Sequence, residues 1–229
     1  MRFIGGYRLD CLYPTGALEF GMTEIPSIFT NLPADVTLIA VSKQQSDERL
    51  DWALQQNLRQ FGENRVQEAQ QHWTQRRAQY PDLVLHLIGP LQSNKTRDAV
   101  MLFDVIHSVD RPKIAHALAE EMRIQKKNIP CFIQVNTGDE PQKAGISFTD
   151  LPAFYHLCKN ELGMDIVGLM CIPPFDQDPT PHFQALKKHG ATLGLSKFSM
   201  GMSDDFDKAI TCGATHIRVG SALFGQRSY

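Results

Sequence analysis

From Val36 onward the chain alternates short apolar runs with longer stretches whose apolar residues recur every three or four positions. The short runs predict strands at Thr37–Lys43, Gln60–Glu63, Leu83–Gly89, Val105–Asp110, Cys131–Asn136, Asp165–Cys171, Lys197–Met202 and His216–Ser221. The longer stretches predict helices, among them Asp47–Gln56, Val66–Gln79, Pro112–Lys127 and Leu151–Asn160. Runs such as Leu38-Ile-Ala-Val41 and Asp165-Ile-Val-Gly-Leu-Met170 are apolar on both faces, as in a parallel sheet covered on both sides. Ser46, Thr149–Asp150 and Ser203–Asp204 stand where helices are expected to open. Eight strands alternating with helices predict a single α/β domain, a (β/α)8 TIM-type barrel. A doubly wound open sheet is the competing arrangement, because periodicity does not reveal closure.

The strand–helix pattern covers residues 36–229, and residues 1–35 form an N-terminal extension outside it. Residues 1–21 are Gly-rich without a clear period and are expected to be poorly ordered. No second domain is evident. The formal net charge of −2 gives no general attraction to nucleic acid or anionic membrane. No apolar run approaches the ~20 residues that span a bilayer. The N-terminus lacks the apolar core of a secretory signal, so a cytoplasmic protein is expected. The five cysteines are scattered without a C-x-x-C pair, which argues for reduced thiols rather than disulfides or structural zinc. The histidines show no metal-ligand spacing either.

Candidate chemistry lies at the predicted strand ends. Lys43 closes the first strand in phase with Ile39 and Val41, which places its amine at the barrel mouth, where active sites of this fold lie. Partial desolvation there lowers a lysine pKa and favours the nucleophilic amine. The plainer alternative is a solvated loop lysine, and spacing does not separate the two. The runs Ser199-Met-Gly-Met-Ser203-Asp204 and Gly220-Ser221 follow the last two strands, where barrels often hold a phosphate on backbone N–H groups and hydroxyls. An inward Arg218 could donate to the ring nitrogen of a bound cofactor, or pair with a carboxylate inside the barrel. Asn64 lies at the mouth after the second strand. His86 reads as a hydrogen-bonded core histidine, Cys171 as a thiol close to the site, and Pro173-Pro174 as a stiff exposed loop.

Seven ordered motifs carry a resemblance: AVSK at 40–43, FGENRVQE at 61–68, HLIGPLQSNK at 86–95, Q-V-N…K-A-G across 134–145, GLMCIPP at 168–174, FSMGMSDD at 198–205 and IRVGSALFG at 217–225. Together they closely resemble the pyridoxal-phosphate homeostasis protein family, single-barrel relatives of the alanine racemase N-terminal domain. The resemblance implies a PLP-binding barrel with pyridoxal 5′-phosphate held as a Schiff base on Lys43. It further implies Arg218 as the partner of the pyridine nitrogen, Ser199, Gly220 and Ser221 around the phosphate, and Asn64 lining the pocket. Family members usually begin with a longer amphipathic helix; here Ile25–Leu32 supplies only a short version.

A two-base racemase needs a second acid/base on the opposite face of the cofactor, and the two-domain racemases take it from an additional β domain. No segment of this sequence is expected to supply that domain. A donor-only arginine at the ring nitrogen also weakens the ring as an electron sink. The expectation is therefore a cofactor handler that buffers PLP or delivers it to PLP-dependent apo-enzymes, without robust turnover, as a monomer or weak dimer. The alternatives are a slow amino-acid racemase, a cofactor-free Schiff-base aldolase acting through Lys43, and a regulatory interaction module that responds to PLP.

Overall fold

The computed structural model describes residues 24–225, together with Phe3–Ile4 and Tyr7–Arg8, which pair as a short antiparallel ladder. Beyond those two pairs, the expectation about residues 1–21 lies outside the described residues. Eight parallel strands close into a barrel: β1 (Thr37–Val41), β2 (Gln60–Glu63), β3 (Val84–Leu87), β4 (Val105–Val109), β5 (Cys131–Val135), β6 (Ile166–Cys171), β7 (Lys197–Ser199) and β8 (His216–Val219). β8 pairs back onto β1 with Val219 opposite Ala40, so the sheet has no edge and the open-sheet alternative falls.

Several strands stop short of their expected ends. β1 ends at Val41 rather than Lys43, because Ser42 donates its hydroxyl to Glu63 and its N–H to Gly62 O, and Gln44 turns the chain with φ +57. β7 ends at Ser199 rather than Met202, because Gly201 adopts φ +91, a left-handed conformation that favours glycine. β8 likewise ends at Val219, one residue before Gly220.

The helices differ from expectation where the apolar period lapses. The stretch 66–79 splits into Val66–Trp73 and Arg76–Gln79: Val66, Ala69 and Trp73 form a buried stripe, and nothing in the second piece is buried. The helix begun at Leu151 ends at His156 and widens into a π turn over Leu157–Glu161. Ser46 and Asp150 occupy N-cap positions without a side-chain cap bond, whereas Asp178 accepts the Thr180 N–H. The short helix Ser27–Thr30 buries Phe29, whose ring lies 5.3 Å from that of Phe206.

Buried residues fall into two layers. The larger fills the space between strands and helices, with Leu50, Trp73, Leu85, Leu118, Phe183 and Leu223 fully enclosed. Ile39, Val41, Ile88, Phe132 and Met170 are buried apart from it, in the barrel interior. That interior also carries His86, His107, Ser199 and Arg218, all nearly inaccessible. Buried polar groups need partners, and the barrel supplies them in one connected chain.

Candidate functional site

Lys43 sits in a tight turn between two carboxylates. On one side Ser42 donates to Glu63 Oε1 at 2.7 Å; on the other the Gln44 N–H donates to Glu68 Oε1. Glu63 is fully buried, and the same Oε1 also accepts from Trp73 Nε1 and His72 Nδ1, each at 2.9 Å. The hydrogen bond to Glu63 raises the His72 pKa against the opposing effect of burial. Glu63, Glu68 and His72 present ligand atoms within 4.8 Å of one another, but Glu63 Oε1 is already taken by three donors. The cluster reads as a clamp on the turn. Lys43 itself is half-buried and lines an open cavity of about 1170 Å³ with Asn64, His72, Pro90, Lys95 and Arg111. The amine therefore reaches the mouth from a loop rather than from the strand.

Asn64 is half-buried on the wall of the same cavity. Gly89 makes its placement possible: a Cβ at Gly89 would lie 2.4 Å from the Asn64 carbonyl oxygen and 2.6 Å from its Cα. No side chain fits there, which explains the glycine of the His86-Leu-Ile-Gly89-Pro run.

Arg218 points inward from β8 and is 4 % exposed. Its Nη1 donates to Ser199 Oγ at 2.8 Å on β7, and its Nη2 to the Cys171 carbonyl at 2.9 Å at the end of β6. Among the described residues no carboxylate comes within ion-pair distance of it, so the carboxylate-paired alternative does not hold. Burial depresses its pKa, and the half-buried Asp205 offsets this only at longer range. A buried cation held by neutral acceptors alone is expensive.

Behind Arg218 the chain continues. Ser199 Oγ lies 2.8 Å from His107 Nδ1, His107 Nε2 lies 2.9 Å from His86 Nδ1, and His86 Nε2 lies 2.8 Å from Gln60 Oε1. His107 also stacks on Phe132 at 4.3 Å. Burial holds His107 far below the ordinary range and takes His86 down to about 3. His86 is thus the core histidine the sequence suggested. Ser199, expected at the phosphate loops, has its fully buried hydroxyl committed to Arg218 and His107 instead. The strand stops at that residue, so Ser199 stays in the barrel wall.

The loop hydroxyl that reaches the end of β8 is Ser203, which accepts from the Gly220 N–H at 3.3 Å and the Ala222 N–H at 3.2 Å. Two backbone donors thus converge on one oxygen beside the exposed Ser221, an arrangement suited to an anion. Gly220 packs on Val41, with an added Cβ 3.5 Å from Val41 Cβ, so this loop neighbours the Lys43 turn. Sequence reasoning placed Ser203 at a helix start and missed this contact; its position beyond Gly201, clear of the strand, was the available signal.

Other expectations resolve simply. Cys131, Cys158, Cys171 and Cys212 are free thiols, and burial pushes Cys171 up to about 12, which removes it as a nucleophile. Pro173 and Pro174 are buried rather than exposed; the residues that project are Phe175 to Asp178. Among the described residues no helix is long and apolar enough to cross a membrane.

Residues 28–228 match the family model for the alanine racemase N-terminal domain. The pyridoxal phosphate homeostasis protein of Pseudomonas aeruginosa is 42% identical over 204 residues, covering 86% of this chain and 87% of its own. The protein of the same name from Escherichia coli is 33% identical over 208 residues, covering 86% and 88%. Among solved structures, PipY of Synechococcus elongatus with PLP bound is 37% identical, with a TM-score of 0.80 over 87% of this chain and 97% of its own. A Clostridium difficile alanine racemase, 13% identical with a TM-score of 0.69, shares the fold over 88% of this chain and 55% of its own. Motifs, closed barrel and relatives agree, and the chain belongs to the pyridoxal phosphate homeostasis protein family.

Proposed function

We propose that this protein binds pyridoxal 5′-phosphate at the barrel mouth, holds it as a Schiff base on Lys43, and buffers or delivers it to apo-enzymes in the cytoplasm. The observation that carries the reading is Arg218: a buried guanidinium with two neutral acceptors and, among the described residues, no carboxylate within ion-pair distance. Two of its five N–H groups are used by those acceptors, and a ring nitrogen at the mouth would take another. Lys43 supplies the amine that condenses with the aldehyde, releasing water. Ser203, whose oxygen accepts from the Gly220 and Ala222 amides and whose hydrogen is left to donate, would hold the phosphate with Ser221, and Asn64 would flank the ring. Ser199 then acts from beneath Arg218 rather than on the phosphate.

The bound cofactor can supply an electron sink for amino-acid chemistry when its ring nitrogen is protonated. Arg218 only donates, so it leaves that nitrogen unprotonated and the sink weak. His86 and His107 stay neutral and are committed to each other, to Gln60 and to Ser199, so neither serves as a second base. These features support a handler without robust turnover over a slow racemase. The test is to load the protein, remove free cofactor, and mix it with a PLP-dependent apo-enzyme. Activity should appear in the apo-enzyme, while the loaded protein alone forms no D-amino acid from L-amino acids. Sustained racemisation, or no recovery of the apo-enzyme, would overturn the proposal.

A further inference from the structure

We propose that Ser199, His107, His86 and Gln60 form a one-way hydrogen-bond chain that aims Arg218, which makes Ser199 and His107 positioning residues rather than phosphate ligands or acid–base groups. The direction follows from donor and acceptor inventories. A guanidinium has no acceptor, so Arg218 Nη1 must donate to Ser199 Oγ across their 2.8 Å contact. Ser199 has one hydrogen, its other close partner is His107 Nδ1 at 2.8 Å, and the Gln60 Oε1 acceptor at the far end of the chain requires that hydrogen to go there. Nδ1 of His107 is thereby the acceptor nitrogen, and the neutral ring carries its proton on Nε2. That proton faces His86 Nδ1 at 2.9 Å, which makes Nδ1 the acceptor of the second ring as well. His86 then carries its proton on Nε2 and donates to Gln60 Oε1 at 2.8 Å.

With both rings neutral and Gln60 Oε1 facing His86, every contact has one donor and one acceptor only in this order. Moving the His86 proton to Nδ1 would set two acceptors, His86 Nε2 and Gln60 Oε1, face to face at 2.8 Å. The charged and titratable groups acting on the pair favour the same state. Arg218 on β8 is cationic, and His216, also on β8, stands with its ring 6.0 Å from that of His107 and 6.4 Å from that of His86. Lys197 on β7 acts on His216, and Asp205 acts on Arg218 rather than on either ring. Burial keeps both rings neutral, and the charge of Arg218 adds to it at His107. The chain also polarises Ser199 Oγ toward the guanidinium, since hydrogen bonds in series strengthen one another. Arg218 is thus fixed from behind by a hydroxyl that cannot take its proton, and its charge stays directed at the mouth.

The role given to Arg218 rests on the function proposed above, but the hydrogen-bond order behind it does not. Two measurements keep these apart. In protein free of cofactor, nitrogen-15 NMR of labelled histidines should show His86 and His107 both protonated on Nε2, with no titration from about pH 5 to about pH 8. An Nδ1–H tautomer in either ring, or titration in that range, would refute the chain even if the cofactor binds as proposed. The second measurement compares wild type with Ser199→Ala, using pyridoxal 5′-phosphate and pyridoxal as separate probes. A positioning role predicts that both probes weaken by the same factor, on the order of tenfold, because the ring contact is common to them. Weakening of pyridoxal 5′-phosphate alone would make Ser199 a phosphate ligand and sink the proposal. Ser199→Ala should leave His107 protonated on Nε2, because His86 and Gln60 still fix that ring, and a switch to an Nδ1–H tautomer would count against the chain.

Discussion

Glu63→Gln perturbs the clamp beneath Lys43 without touching the cavity directly. Oε1 of Glu63 accepts from Ser42, His72 and Trp73, while Oε2 is buried without a partner. An amide oxygen at Oε1 would keep those contacts, but each changes from a charged to a neutral acceptor, a loss of about 1 kcal/mol apiece. The amide nitrogen would occupy the Oε2 site as a buried donor without an acceptor, which adds a cost of similar size. The sum is on the order of 3–4 kcal/mol, and about 2–4 °C per kcal/mol for a chain of this size gives a fall in Tm of roughly 6–16 °C. The effect depends on pH through His72, whose folded pKa Glu63 raises. A raised histidine contributes stability below its unfolded pKa near 6.5, and loses it as pH climbs through the folded value. The gap between wild type and Glu63→Gln should therefore be widest near pH 6 and narrow toward about pH 9. Calorimetric scans of both proteins across that range provide the assay. A Tm unchanged by the substitution, or a gap that widens with rising pH, would refute the account of the clamp.

Further outcomes are expected elsewhere. Gly89→Ala forces a methyl group onto the Asn64 backbone and should cost about 1–3 kcal/mol, read as a lower denaturation midpoint together with weaker cofactor binding. An unchanged midpoint would mean that the close approach is not real. Ser203→Ala should weaken pyridoxal 5′-phosphate by roughly three- to tenfold while leaving pyridoxal unaffected, since the hydroxyl meets only the amides of the phosphate loop. Equal losses for both ligands would place Ser203 on the ring instead. In the folded protein, Cys158 and Cys171, each pushed to about 12 by burial, should resist alkylation while the more accessible Cys212 is modified, as mass spectrometry of the intact chain would show. Early labelling of Cys171 would contradict its burial.

The barrel was legible because several strands are apolar on both faces and alternate with stretches of helical period. Local pattern is enough for such elements, and Gln60–Glu63 was read to the residue. Strand ends were less legible: β1 and β7 stop at backbone turns set by Gln44 and Gly201, before the ends expected at Lys43 and Met202. That difference matters for function, because it moves Lys43 into a turn and leaves Ser199 in the wall. Strand alternation put Arg218 on the face of Gly220, and the closed barrel shows that this face is the inner one. Its partners were not legible, since Ser199 and Cys171 come from two other strands, with His107 behind Ser199 from a third, and they meet only after the barrel closes. The Glu63 clamp was hidden for the same reason: Ser42 and Trp73 are 21 and 10 residues away from it in the chain.

The central claim concerns one amine, and trapping tests it directly. Purified protein saturated with pyridoxal 5′-phosphate is treated with borohydride, digested, and mapped by mass spectrometry. The account predicts a single reduced pyridoxyl adduct on the peptide carrying Lys43, and its loss in Lys43→Ala. An adduct located on Lys95 or another lysine, or an undiminished yield from Lys43→Ala, would contradict it.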